Sequence, residues 1–300
     1  MTKVLALAGG VGGAKLADGL YRALDPQDLT VVVNTGDDFE HLGLTICPDL
    51  DTVCYTLAGL ANPETGWGRA EESWQAFDAL GALGGPTWFR LGDKDLGTHL
   101  ERSRRLAAGH SLSEITDDFC AAWGIQCRVL PMSDQPVRTI VESDQGFLPF
   151  QEYFVARRCE PVVHGFAFHG AEEAQPAPGL MRALEAADLI VLCPSNPWVS
   201  IGPILAVPGL AAALGEKCVV AVSPIIGGKA LKGPAAKMFQ ELGIQASALA
   251  VAQQYGDLLA GLVLDRIDAA LAEQIEALGI MPLVTDSFMR DAKERLRLAE

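Results

Sequence analysis

A glycine-rich turn near the start of the chain, Gly9-Gly10-Val11-Gly12-Gly13-Ala14-Lys15, constrains the fold more than any other segment. It follows the apolar run Val4–Ala8 and opens a helical pattern from Ala14 to Leu24, so it reads as strand, tight turn, helix. Glycines lack a Cβ and let backbone N–H groups approach an anion, while the helix N-terminus adds partial positive charge. A phosphate is the natural guest, although a tight strand-to-helix turn would use the same residues. The spacing fits neither the dinucleotide fingerprint, whose third glycine is absent, nor the P-loop, whose Gly-Lys-Ser/Thr ending is replaced by Ala14-Lys15-Leu16.

The next apolar run, Leu29–Val33, delivers Asn34-Thr35-Gly36-Asp37-Asp38, and Pro48-Asp49-Leu50-Asp51-Thr52 follows shortly after. Alone, Asp37 and Asp38 would pass for a turn or a helix cap. Beside a phosphate cradle, these carboxylates would repel an anionic ligand unless a divalent cation lay between them. Mg²⁺ suits them, as a hard cation that prefers oxygen ligands.

A hydrophobic content of 49% over 300 residues suffices for a full core, and the length suits one α/β domain, 1–300, with an insertion at about 135–180. The net charge of −15 argues against nucleic-acid and anionic-membrane partners, whose phosphates such a chain repels. An anionic ligand must then be small and held locally. Lys15, Arg90, Lys94, Arg102, Arg104, Arg105, Lys229 and Lys232 are the candidate cations, although the run from Arg102 to Arg105 reads equally as a solvated helix face. The seven cysteines are odd in number and form no Cys-x-x-Cys pair, so they signal neither a disulfide framework nor a zinc site. Lys3 leads directly into a strand with no secretory segment, which places the chain in the cytoplasm. The uncharged stretch 189–215 carries Pro194, Pro197, Pro203 and Pro208, which would break a membrane helix.

Short aliphatic runs alternate with helical patterns. Val4–Ala8, Thr30–Val33, Arg128–Leu130, Asp188–Cys193 and Cys218–Val222 read as strands. Ala14–Leu24, Asp51–Leu60, Glu71–Leu80, Leu112–Trp123, Gly179–Ala187 and Gly233–Leu242 read as helices. The alternation predicts an α/β fold, a doubly wound, Rossmann-like parallel sheet with helices on both faces. Thr139–Glu142 and Phe147–Tyr153 form a predicted hairpin within the middle insertion, with 151–178 irregular. Ligands of such sheets gather at the carboxyl ends of the strands. There the sequence places the glycine turn, Asn34–Asp38, Pro194-Ser195-Asn196-Pro197 and Ser223–Lys229, which outline one cleft. A second knot, Phe89-Arg90-Leu91-Gly92-Asp93-Lys94-Asp95-Leu96-Gly97-Thr98-His99, reads as a loop ahead of the helix containing Arg102. Its Arg90 and Lys94 suit a phosphate, and His99 could donate a hydrogen bond or transfer a proton.

In order, these segments, with Ile46–Thr52, Leu130-Pro131-Met132-Ser133-Asp134, Ser200–Ile204 and Val222–Gly228, closely resemble the 2-phospho-L-lactate transferase (CofD/FbiA) family of coenzyme F420 biosynthesis, as far as about Leu264. The resemblance implies a homodimeric, Mg²⁺-dependent phosphotransferase acting on two small molecules. One is a guanosine-diphosphate-activated three-carbon acid, lactyl or enolpyruvyl; the other is the deazaflavin Fo (7,8-didemethyl-8-hydroxy-5-deazariboflavin). The ribityl hydroxyl of Fo would attack the phosphorus next to the acid, giving F420-0 or its dehydro form and GMP. On that reading Gly10, Gly12, Gly13, Lys15 and Lys94 hold the diphosphate, and Ser195 and Asn196 line the nucleotide cleft. Asp37, Asp38 and Asp49 bind the metal, with Asp37 also catalytic, and Arg90 lies near Fo. Asp51 orients the Fo hydroxyl or accepts its proton, a role that Asp49 could exchange with it.

Two rivals remain. The related gluconeogenesis-factor regulators, non-enzymatic nucleotide-sugar binders, continue after the second strand as Asp-Asp-Gly-Gly-Ser-Ser-Gly, where this chain has Asp37-Asp38-Phe39-Glu40-His41-Leu42-Gly43. A nicotinamide-dependent dehydrogenase would end that strand with an acid to hold a ribose, where this chain has Asn34.

Overall fold

The computed structural model describes residues 2–300. Its central sheet is built from β1 (Val4–Ala8), β2 (Leu29–Val33), β3 (Arg128–Pro131), β4 (Leu189–Leu192), β5 (Val219–Val222), β6 (Gly261–Asp265) and β7 (Met281–Thr285). The seven strands lie in the order β7-β6-β5-β4-β1-β2-β3, and every pairing is parallel. Strands β1 to β5 are the expected runs, displaced by a residue at most at either end. Val4 of β1 pairs with Leu29 on one side and Leu189 on the other, so the strand order reverses between β1 and β4. At such a switch point the connections leave toward opposite faces and open a crevice.

Strand β1 is buried throughout because both of its faces are covered. Leu5 and Leu7 face one core with Leu180, Leu184 and Ile204. Val4, Ala6 and Ala8 face the other, with Leu16 and Leu20 of α1 (Gly10–Ala23) and Leu50 and Val53 of α2 (Pro48–Leu57). Such two-sided burial is what a near-continuous apolar run encodes. Both helices begin earlier than expected: the glycine turn is itself the first turn of α1, and Pro48 takes the favoured first position of α2. Asp49 and Asp51 therefore sit in the first turn of a helix, where its dipole favours negative charge.

Past α3 (Gln75–Ala82), the segment Asp93–His99 is not the expected loop but the start of α4 (Asp93–Ala107). Asp93 and Asp95 in its first turn and Arg104 and Arg105 in its last complement the helix dipole and outweigh Gly97. The following α5 (Leu112–Ala122) opens on a capping box between Ser111 and Glu114 and packs on β3.

Between β3 and β4 the expected hairpin is present, but as two limbs of a three-stranded antiparallel sheet ordered Gly146–Pro149, Arg138–Ser143, Val163–His169. Its second limb ends at Pro149 rather than Tyr153, and Glu152–Ala156 form a π-helical turn that brings Gln151 inward. The last helix, Ala292–Ala299, packs against α1, and Arg295 Nη1 reaches the fully buried Asp18 at 3.1 Å. Among the described residues no helix is long and apolar enough to cross a membrane.

Candidate active site

The crevice widens into a cleft of about 870 Å³, lined by α1, by the ends of β2, β4 and β5, and by the first turn of α2. Close packing explains the glycines. A Cβ at Gly12 would run into the Pro194 carbonyl, and one at Gly13 would stand 2.5 Å from Ser195 Oγ. Ser195 Oγ accepts from the Gly9 N–H (3.0 Å) and donates to the Gly9 carbonyl (2.8 Å), stitching the end of β4 to the turn. Asn196 Oδ1 accepts from the N–H groups of Trp198 and Val199 (3.0 and 3.3 Å) and caps the π-helical turn Pro197–Ile201.

Two residues along an α-helix turn the chain by about 200°, so Asp49 and Asp51 leave α2 in different directions. Asp49 looks back at the glycine turn. Its Oδ1 accepts from the Gly10 N–H (2.6 Å) and its Oδ2 from Asn34 Nδ2 (2.9 Å). The same Asn34 amide lies 3.4 Å from Asp37 Oδ1, and Gln151 Nε2 donates to Asp37 Oδ2 at 3.1 Å. These acids thus share amide donors and no full positive charge among those hydrogen bonds. Burial pushes Asp49 up to about 6, against the pull of Asn34 and the Gly10 N–H. Burial, then the charges of Asp49 and Asp38, push Asp37 well above the usual carboxylate range. Asp38 lines a neighbouring cavity of about 380 Å³ beside Arg138, and burial raises it to about 7 despite that guanidinium.

Asp51 meets α4 instead. Asp95, His99 and Arg102 are spaced i, i+4, i+7 and share one helix face. Arg102 is only 1% exposed and grips both oxygens of Asp51, Nη1 lying 3.0 Å from Oδ2 and Nη2 on Oδ1. Its Nη1 is also 3.2 Å from His99 Nδ1. The other ring nitrogen, Nε2, stands 3.5 Å from Asp95 Oδ1. Tyr55, four residues after Asp51 on α2, donates its hydroxyl to Asp95 Oδ1 at 2.7 Å, with Thr98 Oγ1 2.8 Å away. Burial alone would raise Asp95, yet the neighbouring His99, the Tyr55 hydroxyl and the charge of Arg102 hold it below its ordinary value.

The sequence profile of the family described as 2-phospho-L-lactate transferase CofD matches residues 4–296. The chain belongs to that family. It is similar to the phosphoenolpyruvate transferase of Streptomyces griseus subsp. griseus, at 45% identity over 99% of this chain and 98% of that protein. The proteins of the same name from Kitasatospora aureofaciens and Thermobifida fusca (strain YX) are 45% and 43% identical, each over 99% of this chain and 95% of their own. In fold it is similar to a Bacillus halodurans protein described as a member of the UPF0052 family, with a TM-score of 0.64 over 100% of both chains. At 16% identity that likeness is one of fold alone. The family match does not favour the gluconeogenesis-factor alternative.

In this transferase Gly10, Gly12, Lys15, Asp37, Asp49, Asp51, Arg90, Ser195 and Asn196 all line the cleft. Lys15 Nζ donates to the Met289 carbonyl (2.9 Å), and burial, then the nearby Arg295 and Lys232, lower its pKa. The Arg90 guanidinium stacks 4.1 Å over the Trp74 ring. Lys94 departs from expectation: its Nζ turns out of the cleft to the Ala70 carbonyl (3.1 Å) and stands 3.7 Å from Glu71. Arg102 departs too, since the face read as solvated is buried against Asp51. Among the described residues, the three-residue group with metal-ligand spacing is Asp51, Asp95 and His99, not Asp37, Asp38 and Asp49. That group already holds a guanidinium, whereas Asp37 is made harder to ionise by burial and by Asp49, an arrangement that a dication would relieve. Gln151, Tyr55 and Asp95 received no role from the sequence, Arg102 only that of a candidate cation, and Asn34 only a place in the cleft. The spacing of Asp95, His99 and Arg102 was a usable signal for three of the α4 face residues, but nothing local marks Gln151.

Proposed function

We propose that the protein transfers a phosphorylated three-carbon acid from its guanosine-diphosphate-activated form to the terminal ribityl hydroxyl of Fo, with release of GMP. The donor is the enolpyruvyl compound and the product dehydro-F420-0, a choice supported by the name phosphoenolpyruvate transferase among relatives 43–45% identical. One observation carries the reading: a single cleft joins a glycine turn and cations to two differently neutralised sets of acids. The backbone N–H of Gly12 in the first turn of α1, with Lys15, would hold the diphosphate, since Asp49 takes the Gly10 N–H and Gly13, packed on Ser195, lies outside the cleft lining. Asp37 and Asp49 would hold Mg²⁺, with Asp38 behind them. The ion, when bound, would offset charge on the transferring phosphate group.

Asp51 orients the acceptor hydroxyl, and Arg90 lies against Fo. The hydroxyl oxygen forms a bond to the phosphorus next to the acid as the bond from that phosphorus to the GMP oxygen breaks, and the hydroxyl proton passes to Asp51 or Asp49. Positioning and charge neutralisation suffice for such a transfer, without a covalent nucleophile. The buried thiols fit this: burial pushes Cys193 up to about 12 and Cys47 well above its ordinary value, so neither supplies thiolate. The test mixes purified protein, Mg²⁺, Fo and each guanylated donor, and follows GMP release and product mass. Fastest turnover with the enolpyruvyl donor is expected. A lactyl preference would change the donor assignment, and no GMP release with any donor would end the reading.

A further inference from the structure

The buried guanidinium of Arg102 is not part of the cleft lining, yet it takes both oxygens of Asp51, which is. We infer that Arg102 is a positioning residue for the transfer, fixing the plane of the Asp51 carboxylate so that Asp51 presents its free lone pairs to the acceptor hydroxyl in one orientation. The inference deepens the function proposed above and rests on it.

The geometry supports this in three ways. A two-point contact from a planar fork sets the rotation of a carboxylate, which a one-point contact leaves free. Arg102 is itself held: Nη1 lies 3.2 Å from His99 Nδ1 and 3.5 Å from the Thr45 carbonyl, and on the same face of α4 Asp95 accepts from Tyr55 of α2 (2.7 Å), tying the two helices together. The guanidinium also stands as the cation of the Asp51, Asp95 and His99 group, so that group draws no dication away from Asp37 and Asp49. Each oxygen of Asp51 keeps a second lone pair for the acceptor, since an ionised carboxylate offers about four acceptor sites.

The experiment measures kcat and the KM for Fo and for the guanylated donor in the wild type, Asp51→Asn, Arg102→Gln, Arg102→Lys and the Asp51→Asn/Arg102→Gln double variant, with GDP affinity and thermal melting alongside. Misplacing a reacting group by about 1 Å can cost about 100-fold, so Arg102→Gln should lose kcat on that scale while GDP affinity stays within about threefold of the wild type. Arg102→Lys should recover little, because an ammonium cannot make the fork. The double variant should be no slower than Asp51→Asn alone, since a residue acting through Asp51 has nothing further to lose once Asp51 is altered. Arg102→Gln turning over within about threefold of the wild type, or losses that multiply in the double variant, overturns the inference. Where Arg102→Gln does not fold, the double variant, which buries no lone charge at this pair, carries the test against Asp51→Asn. A wild type that releases no GMP takes down the transfer reading itself, whereas multiplying losses on an active wild type take down only the role of Arg102.

Discussion

Asp49 and Asp51 stand two residues apart on the first turn of the same helix, and their surroundings differ in the one respect that decides what a carboxylate can do. Asp49 is met by a backbone N–H and an amide, is buried beside Asp37, and is pushed up to about 6. Asp51 is met by a guanidinium that takes both its oxygens. The chain thus provides its own cation on one side of α2 and only neutral donors on the other. The contrast separates the two tasks proposed for these acids, holding an added cation and holding an acceptor group, which a mere count of acids would merge.

The largest effect should come from exchanging each acid for its amide. Asp51→Asn is expected to lower kcat by about 100-fold or more at every Mg²⁺ concentration with the fold intact, on the scale typical of a positioned proton acceptor. Asp49→Asn should lose less and regain part of its turnover as Mg²⁺ is raised. Steady-state assays over a Mg²⁺ series decide it, and a rescue of Asp51→Asn by Mg²⁺ would reverse the comparison.

Next in size is the pH dependence of stability in metal-free protein. An acid whose folded pKa lies above its unfolded value of 3.8 binds the extra proton in the folded state, so its contribution is present at low pH and lost as pH rises through the folded pKa. With Asp49 at about 6 and Asp38 at about 7, the thermal midpoint should fall between pH 5 and pH 8. Mg²⁺ should offset much of that fall, and Asp49→Asn should flatten its lower part. A midpoint that climbs over this interval without metal would show these acids to be neutralised by protein groups after all.

The smallest effect sharpens the same contrast along α4, where Arg102 points inward and Lys94 outward. Lys94→Ala should leave turnover within about twofold and stability within about 0.5 kcal/mol, as surface substitutions commonly do. Melting curves and a standard assay are enough, and a tenfold loss of kcat would bring Lys94 back to the diphosphate.

Most of the sheet could be read in advance because its strands are buried on both faces: β1 is an unbroken aliphatic run ending in a glycine turn, and β2 is one interrupted only by Thr30 and ending in Asn34. Strand β6 was missed: it opens on Gly261, and only four residues separate that glycine from the one at 256. Val163–His169 escaped for a related reason, since Gly165 and two histidines conceal a strand that exists to pair with Arg138–Ser143. At the site, the cleft residues that follow strands were legible because topology puts all strand ends at one edge. Arg102 was left open between a ligand cation and a solvated face, and Lys94 was expected in the cleft, because a run of charges does not reveal which helix face meets a partner. The carboxylate that buries Arg102 lies 51 positions earlier in the chain, and no local pattern reports such a distance.

Lys15 bonds to a carbonyl 274 residues further along, and the helix that carries it is covered by 292–299. During translation the cradle segment is therefore made well before the segment that shelters its outer flank, which follows every strand of the sheet. A nascent chain lacking 292–299 carries Gly19 and the otherwise enclosed Asp18 on a helix face whose cover has yet to be synthesised, which makes that interval a point of exposure to chaperones and proteases.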